Sequence, residues 1–127
     1  IYEFLKKCGT YYLATVEDGQ PRVRPFGTID LFEDKLYIQT GKVKDVSKQI
    51  AVNPKVEISG YAGGQWIRVT CTLVRDERVE AKAHMLAGYP DGAKMYSAED
   101  DNTEVLYMKD ATAVIYSFTD VPKTICF

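Results

Sequence analysis

Between Lys35 and Thr40 the chain reads KLYIQT, with Leu36 and Ile38 alternating against Lys35, Tyr37 and Gln39. This is the two-residue period of a strand that buries one face. The same period runs through QWIRVTCTLVRD, where Ile67, Val69, Cys71 and Leu73 oppose Trp66, Arg68, Thr70 and Thr72, and predicts the longest strand. YYLATV (residues 11–16) and RVRPFGTI (22–29) flank EDGQP, whose Asp18-Gly19 pair is a strong hairpin signal, so these two strands should pair antiparallel. KVEISGYA and the long strand surround Gly63-Gly64 as a second hairpin, EVLYMK and ATAVIYSF return to β-branched and aromatic alternation, and KTICF can supply a last short strand.

After Gly41 the period changes. Val43, Val46 and Ile50 fall at i, i+3 and i+7 on one helical face, with Lys44, Asp45, Lys48 and Gln49 pointing elsewhere, until Asn53-Pro54 stops the helix. From Ala81 to Met95 the pattern predicts a short helix, a break at Gly88-Tyr89-Pro90-Asp91-Gly92 and one further turn, with acidic loop residues beyond. The expected fold is mainly β (α+β): a single domain over residues 1–127, built as a small antiparallel barrel of about seven strands with a helix after the third strand and short helices in the second half.

Composition narrows the function classes. The 46% apolar and 27% charged content is that of a globular protein, and no apolar run approaches the roughly 20 residues of a membrane helix. No basic-then-apolar opening resembles a secretory signal. Cys8, Cys71 and Cys126 are odd in number and widely spaced, which suits neither a disulfide framework nor a zinc site. A soluble cytoplasmic protein without membrane partners is the expectation. The formal charge of −2 gives no general attraction to nucleic acid, yet Arg22, Arg24, Lys35, Lys42, Lys44 and Lys48 crowd the first half, whereas Glu99, Asp100, Asp101 and Glu104 crowd a later segment.

Lys42 and Lys44 stand at the junction of a strand and a helix start. Unpaired N–H groups already make that end positive, so cations there cost roughly 0.3–1 kcal/mol each unless an anion compensates. Arg24 lies on a neighbouring predicted strand and Arg22 two residues away on the same face. A phosphate suits such a set: helix N–H groups, lysine ammonium groups and an arginine capable of bidentate contact. Exposed lysines on a surface helix are the alternative.

QPRVRPFGTI, KLYIQTGKVKDVSKQIAVNP and QWIRVTCTLVRD, in this order, resemble the three blocks of the pyridoxamine 5'-phosphate oxidase-like, FMN-binding split-barrel family. The likeness runs from about Tyr11 to Asp76 and more weakly to the end. It implies that Arg24 contacts the FMN phosphate together with Thr40, Lys42 in a serine-like place, and Lys44, with Val43 replacing the usual arginine. It also implies that backbone groups of Pro25, Phe26, Gly27 and Thr28 reach the polar edge of the flavin, that Gln65 or Trp66 contacts the ring, and that a homodimer holds each FMN between subunits. Tyr61, Tyr89 and Tyr96 are candidates for contacts from the partner side, against ordinary packing.

The resemblance implies a small FMN-dependent oxidoreductase acting on an unknown substrate with an unknown electron donor. True pyridoxamine phosphate oxidation is not expected, because KTICF replaces the family's tryptophan- and arginine-containing C-terminal segment. The alternative is a non-catalytic flavin- or haem-binding module for electron storage or sensing. A nucleic-acid-binding barrel using Arg22, Arg24, Trp66 and the lysines ranks last. His84, the only histidine, has no partners for a metal cluster, and Cys71 alternates into the core as an inert thiol. Neither a Ser/His/acid set nor a GxGxxG fingerprint is present. Bound flavin can nevertheless carry electron chemistry without a catalytic side chain.

Overall fold

A computed structural model of the chain describes residues 1–91 and 96–127. Its elements run α1 (Tyr2–Cys8), β1 (Tyr11–Glu17), β2 (Gln20–Phe26), β3 (Asp30–Phe32), β4 (Lys35–Gly41), α2 (Asp45–Val52), β5 (Lys55–Ala62), β6 (Gln65–Asp76), α3 (Val79–Ala87), β7 (Thr103–Ser117) and β8 (Lys123–Cys126). The further helical turn expected up to Met95 lies outside the described residues. The strands form one antiparallel sheet in the order β2-β1-β5-β6-β7-β4-β3, with β8 added to β7. This is the mainly β, split-barrel architecture: the sheet curls but stays open, since among the described residues no ladder joins β2 to β3 or β4.

Both expected hairpins form. Asp18 and Gly19 take φ of 50° and 79°, the left-handed pair that a tight two-residue turn between twisted strands requires. Ile67, Val69, Cys71 and Leu73 point into the main core beside Leu13, Ile38, Ile58 and Leu106. EVLYMK and ATAVIYSF belong to one 15-residue strand, β7, rather than two. The apparent break is Asp110, whose φ of 52° accompanies a register shift against β6 between Thr70 and Thr72. A bulge bends a strand without ending it.

Three expectations from periodicity fail for identifiable reasons. Tyr37 and Gln39 are buried along with Leu36 and Ile38, because α3 covers the second face of the sheet: Tyr37, Ala81, Met85 and Val105 form a smaller core with Phe32, Tyr89 and Tyr107. Val43 precedes α2 and is 73% exposed, since the helix begins only after Lys44, leaving Val46 and Ile50 as its apolar face. Gln49 is buried, for a reason that belongs to the site. The N-terminal helix α1 has no periodic signature to reveal it: it has seven residues, only Leu5 of which is fully buried. Among the described residues no helix is long and apolar enough to cross a membrane.

A polar cluster ties β4 to the start of α3. The Tyr37 hydroxyl donates to Asp76 Oδ2 at 2.7 Å, and Arg78 donates to the same carboxylate from Nη2 at 2.9 Å and from Nε at 3.1 Å. The Arg78 hydrogen bonds, with help from Tyr37, lower the Asp76 carboxyl from 3.8 to about 2. A depressed carboxyl contributes stability that is complete above its unfolded value and is lost as the pH falls through the folded one, here between about pH 4 and pH 2. Allowing for screening of the half-exposed Arg78, the contribution is about 1–2 kcal/mol. Urea unfolding of Asp76→Asn should therefore show its largest deficit near neutral pH, shrinking toward zero near pH 2; a deficit independent of pH would show that the carboxylate's charge is not what stabilises this junction.

Candidate functional site

The open seam of the sheet is also where the chemistry gathers. A cavity of about 260 Å³ lies there, lined by Arg24, Pro25 and Phe26 of β2, by Gly27 and Thr28, by Gln39 and Thr40 of β4, by Lys44 and Val46 at the start of α2, and by Tyr89 and Tyr96. Thr28 spans the seam: its carbonyl accepts a 2.5 Å hydrogen bond from the buried Tyr11 hydroxyl, and its Oγ1 accepts the Gln39 N–H at 3.1 Å. An inter-strand bond is replaced there by a side chain, so the wall of the cavity is held without closing it. A Cβ at Gly27 would meet only the Gly9 carbonyl, at 3.9 Å, which leaves this stretch of backbone open toward the cavity.

Arg24 is fixed from behind. Its Nη1 donates to Thr15 Oγ1 at 2.7 Å and to the Leu13 carbonyl at 3.3 Å, and its Nη2 donates to Gln49 Oε1 at 2.5 Å. The Thr15 hydroxyl in turn donates to the same Gln49 oxygen at 2.5 Å. Burial pushes the guanidinium pKa down, while the charges of Asp45 and Glu17 act in the other direction. Burial of Gln49 follows from this network, because a polar side chain placed beneath two donors is satisfied there and not in water. Helical periodicity alone carries no such signal.

Lys44 occupies the N-cap of α2 in extended conformation, with no side-chain cap. The turn before it is clamped from the second half of the chain: the Lys42 N–H donates to the Asn102 carbonyl at 2.8 Å and the Val43 N–H to Asn102 Oδ1 at 3.1 Å. A Cβ on Gly41 would come within 3.0 Å of the Asn102 side chain, so glycine permits that approach. Asp100 holds the clamp in shape by accepting the Asn102 and Thr103 N–H groups at 3.0 and 2.5 Å. The bond from the Thr103 N–H first, then one from the Ser97 N–H, lower its carboxyl to about 2. Part of the acidic run is thus structural. Glu104 is fully buried, accepting from Ser47 Oγ at 2.7 Å and ion-paired with Arg75.

Of the four cations expected together, three stay close and one turns away. Arg24 and Lys44 share the cavity. Arg22 pairs with Glu17 at 3.3 Å and lines an adjoining shallow depression with Arg24 and Lys44. Lys42 turns away to Glu77 at 3.2 Å. Gln65 and Trp66 open β6, outside the cavity of their own chain, and Trp66 stacks on Tyr116 with ring centres 5.6 Å apart. Tyr61 is exposed on the same hairpin. Tyr89 and Tyr96 line the chain's own cavity, and the Tyr89 hydroxyl accepts the Ile29 N–H at 2.8 Å and donates to the Ile29 carbonyl at 3.0 Å. Gln39, Val46 and Gln49 are site residues without a signal in the sequence. His84 is engaged by Asp30, Nδ1 to Oδ2 at 2.6 Å, and Cys71 is held inert, its thiol pushed up to about 12 by burial.

The family model for pyridoxamine 5'-phosphate oxidase matches residues 1–116. The chain belongs to that family. Among solved structures, this pyridoxamine 5'-phosphate oxidase family member is similar to a NimC/NimA family protein from Clostridium acetobutylicum, with 45% identity over 98% of this chain and 88% of that one, and a TM-score of 0.95. General Stress Protein 26 from Bacillus anthracis shares the fold at 18% identity, TM-score 0.79, covering 100% and 95% of the two chains. So does HutZ, the haem storage protein from Vibrio cholerae, at 16% identity, TM-score 0.68 and 84% of each chain. Curated protein sequences include no match to this family member.

Proposed function

We propose that the seam cavity holds FMN and that the protein is a small FMN-dependent oxidoreductase. One observation carries the reading: a fixed guanidinium and a lysine meet at an uncapped helix start, beside a stretch of backbone left open to a cavity. Arg24, Lys44 and the first N–H groups of α2 would hold the phosphate, with Thr40 beside them. Pro25 to Thr28 would line the ring, and Phe26, Tyr89 and Tyr96 supply aromatic surface. When bound, the flavin supplies hydride chemistry at N5, passing electrons from a donor to a small substrate. The protein's part is to orient the ring and limit water.

At about 260 Å³ the cavity falls just below the roughly 300–1,000 Å³ of enclosed ligand sites. In this reading a homodimer completes it, and Gln65 or Trp66 contacts the flavin across the subunit boundary. The exposed aromatic group around Trp66 and Phe118 suits burial against a second chain. A haem store is the competing reading suggested by the likeness to the Vibrio cholerae protein. Among the described residues, however, no histidine, cysteine or methionine lines the cavity, and of its two tyrosines the hydroxyl of Tyr89 is already engaged by Ile29.

Titration of the purified protein with FMN, riboflavin and haemin, followed by visible spectra, tests the assignment. Saturable perturbation of the FMN bands, with riboflavin bound at least tenfold more weakly, is expected. Equal affinity for the two flavins, or a Soret shift with haemin in place of any flavin response, would overturn it. Bleaching of the bound flavin by a reduced nicotinamide donor, followed by reoxidation with an acceptor, separates an enzyme from a passive carrier.

A further inference from the structure

We infer that Gln49 sets the cavity's preference for a doubly charged phosphate, by holding Arg24 through a neutral acceptor and separating it from Glu17. The inference rests on the FMN reading and adds a specificity-determining residue that does not line the main cavity. Gln49 Oε1 takes hydrogen bonds from Arg24 Nη2 and Thr15 Oγ1, each at 2.5 Å, while its Nε2 donates to Glu17 Oε2 at 3.3 Å. The amide is therefore used at both ends, with the acceptor toward a cation and the donor toward an anion. Among side chains only the amides of Asn and Gln present an acceptor and paired donors in this form.

The identity of the residue decides the electrostatics. Glutamate has the same shape and would grip a guanidinium more tightly through a charge-assisted pair. It would also cancel the positive charge that a phosphate needs. Glutamine anchors the arginine in the same place and leaves its charge for the ligand. The surroundings fit this partition: Glu17 makes its ion pair with Arg22 at 3.3 Å and reaches Arg24 only by charge, across the Gln49 amide. Thr15 and Gln49 are both more than nine-tenths buried, which keeps water from screening the contact. Asp45 also acts on Arg24 by charge alone, and Asp18 and Lys48 line a second cavity together with Glu17, Asp45 and Gln49.

The test is the ratio of FMN to riboflavin affinity in Gln49→Glu and Gln49→Leu, measured by fluorescence titration between pH 5 and pH 9, with circular dichroism to confirm folding. At pH 8 the ratio should fall at least tenfold in Gln49→Glu and about threefold in Gln49→Leu, where the arginine loses an anchor but keeps its charge. Paired with Arg24, the new carboxyl stays ionised, so the Gln49→Glu deficit relative to the native protein should persist down to pH 5. If Gln49→Glu does not fold, Gln49→Leu still decides the anchoring role, because an unchanged ratio overturns it. An equal loss in both variants overturns the electrostatic role. If the native protein binds the two flavins equally, the phosphate reading itself fails; a native preference that both variants retain defeats this inference alone.

Discussion

Replacing Arg24 and Lys44 together with alanine should weaken FMN binding by about 100- to 1,000-fold while changing riboflavin binding by no more than about threefold. Each side chain lines the cavity, and a charge-assisted contact of this kind contributes roughly 1.5–3 kcal/mol. Two such losses, less whatever water and the helix N–H groups restore, give about 3–4 kcal/mol, or two to three decades in affinity. Riboflavin lacks the phosphate, so its contacts along Pro25 to Thr28 should persist. Because Arg24 also bonds Thr15, Gln49 and the Leu13 carbonyl, the double variant should lose about 1–2 kcal/mol of stability as well, and binding should be measured well below its melting point. Parallel loosening of both flavins would mean that the cations support the fold and not the ligand.

The second large effect is on stability. Ile67→Ala truncates a fully buried side chain near the start of β6, where it pairs with Gly60 on β5 and Ile115 on β7. With glycine as one neighbour, little apolar surface can move in to fill the space, so a loss of about 3 kcal/mol is expected. For a chain of this size that corresponds to a fall of about 10 °C in Tm. Since Ile67 faces the core and does not line the cavity, flavin affinity measured on the folded variant at low temperature should be unchanged. A melting point within 2 °C of the native protein would show that this part of the core repacks.

The strands and hairpins were legible because each depends on its own few residues. Asp18-Gly19 and Gly63-Gly64 specify turns, and Ile67, Val69, Cys71 and Leu73 specify a face. Arg24, Thr40 and Lys44 were legible through the pattern of blocks around a strand-to-helix junction. What stayed hidden depends on which elements meet. The second buried face of β4 becomes apparent only when α3 is known to cover it. Gln49 reads as solvent-facing until β1 and β2 bring Thr15 and Arg24 over it. Lys42 has the same sequence credentials as Lys44, and only the position of Glu77 separates them. Tyr89 and Tyr96 lie in the region of weakest periodicity, so no local signal assigns them to a wall of the cavity.

The grip of Asn102 on residues 41–43 has a consequence for biosynthesis. Arg24 and Lys44 emerge from the ribosome before β7, but β4 is flanked in the sheet by β7, and the loop that shapes the turn before Lys44 immediately precedes that strand. A nascent chain ending before Asn102 lacks both supports and should be unable to retain ligand, however complete its cationic residues. Competence for the cofactor would then arrive in a single step, coupling incorporation to the synthesis and pairing of β7.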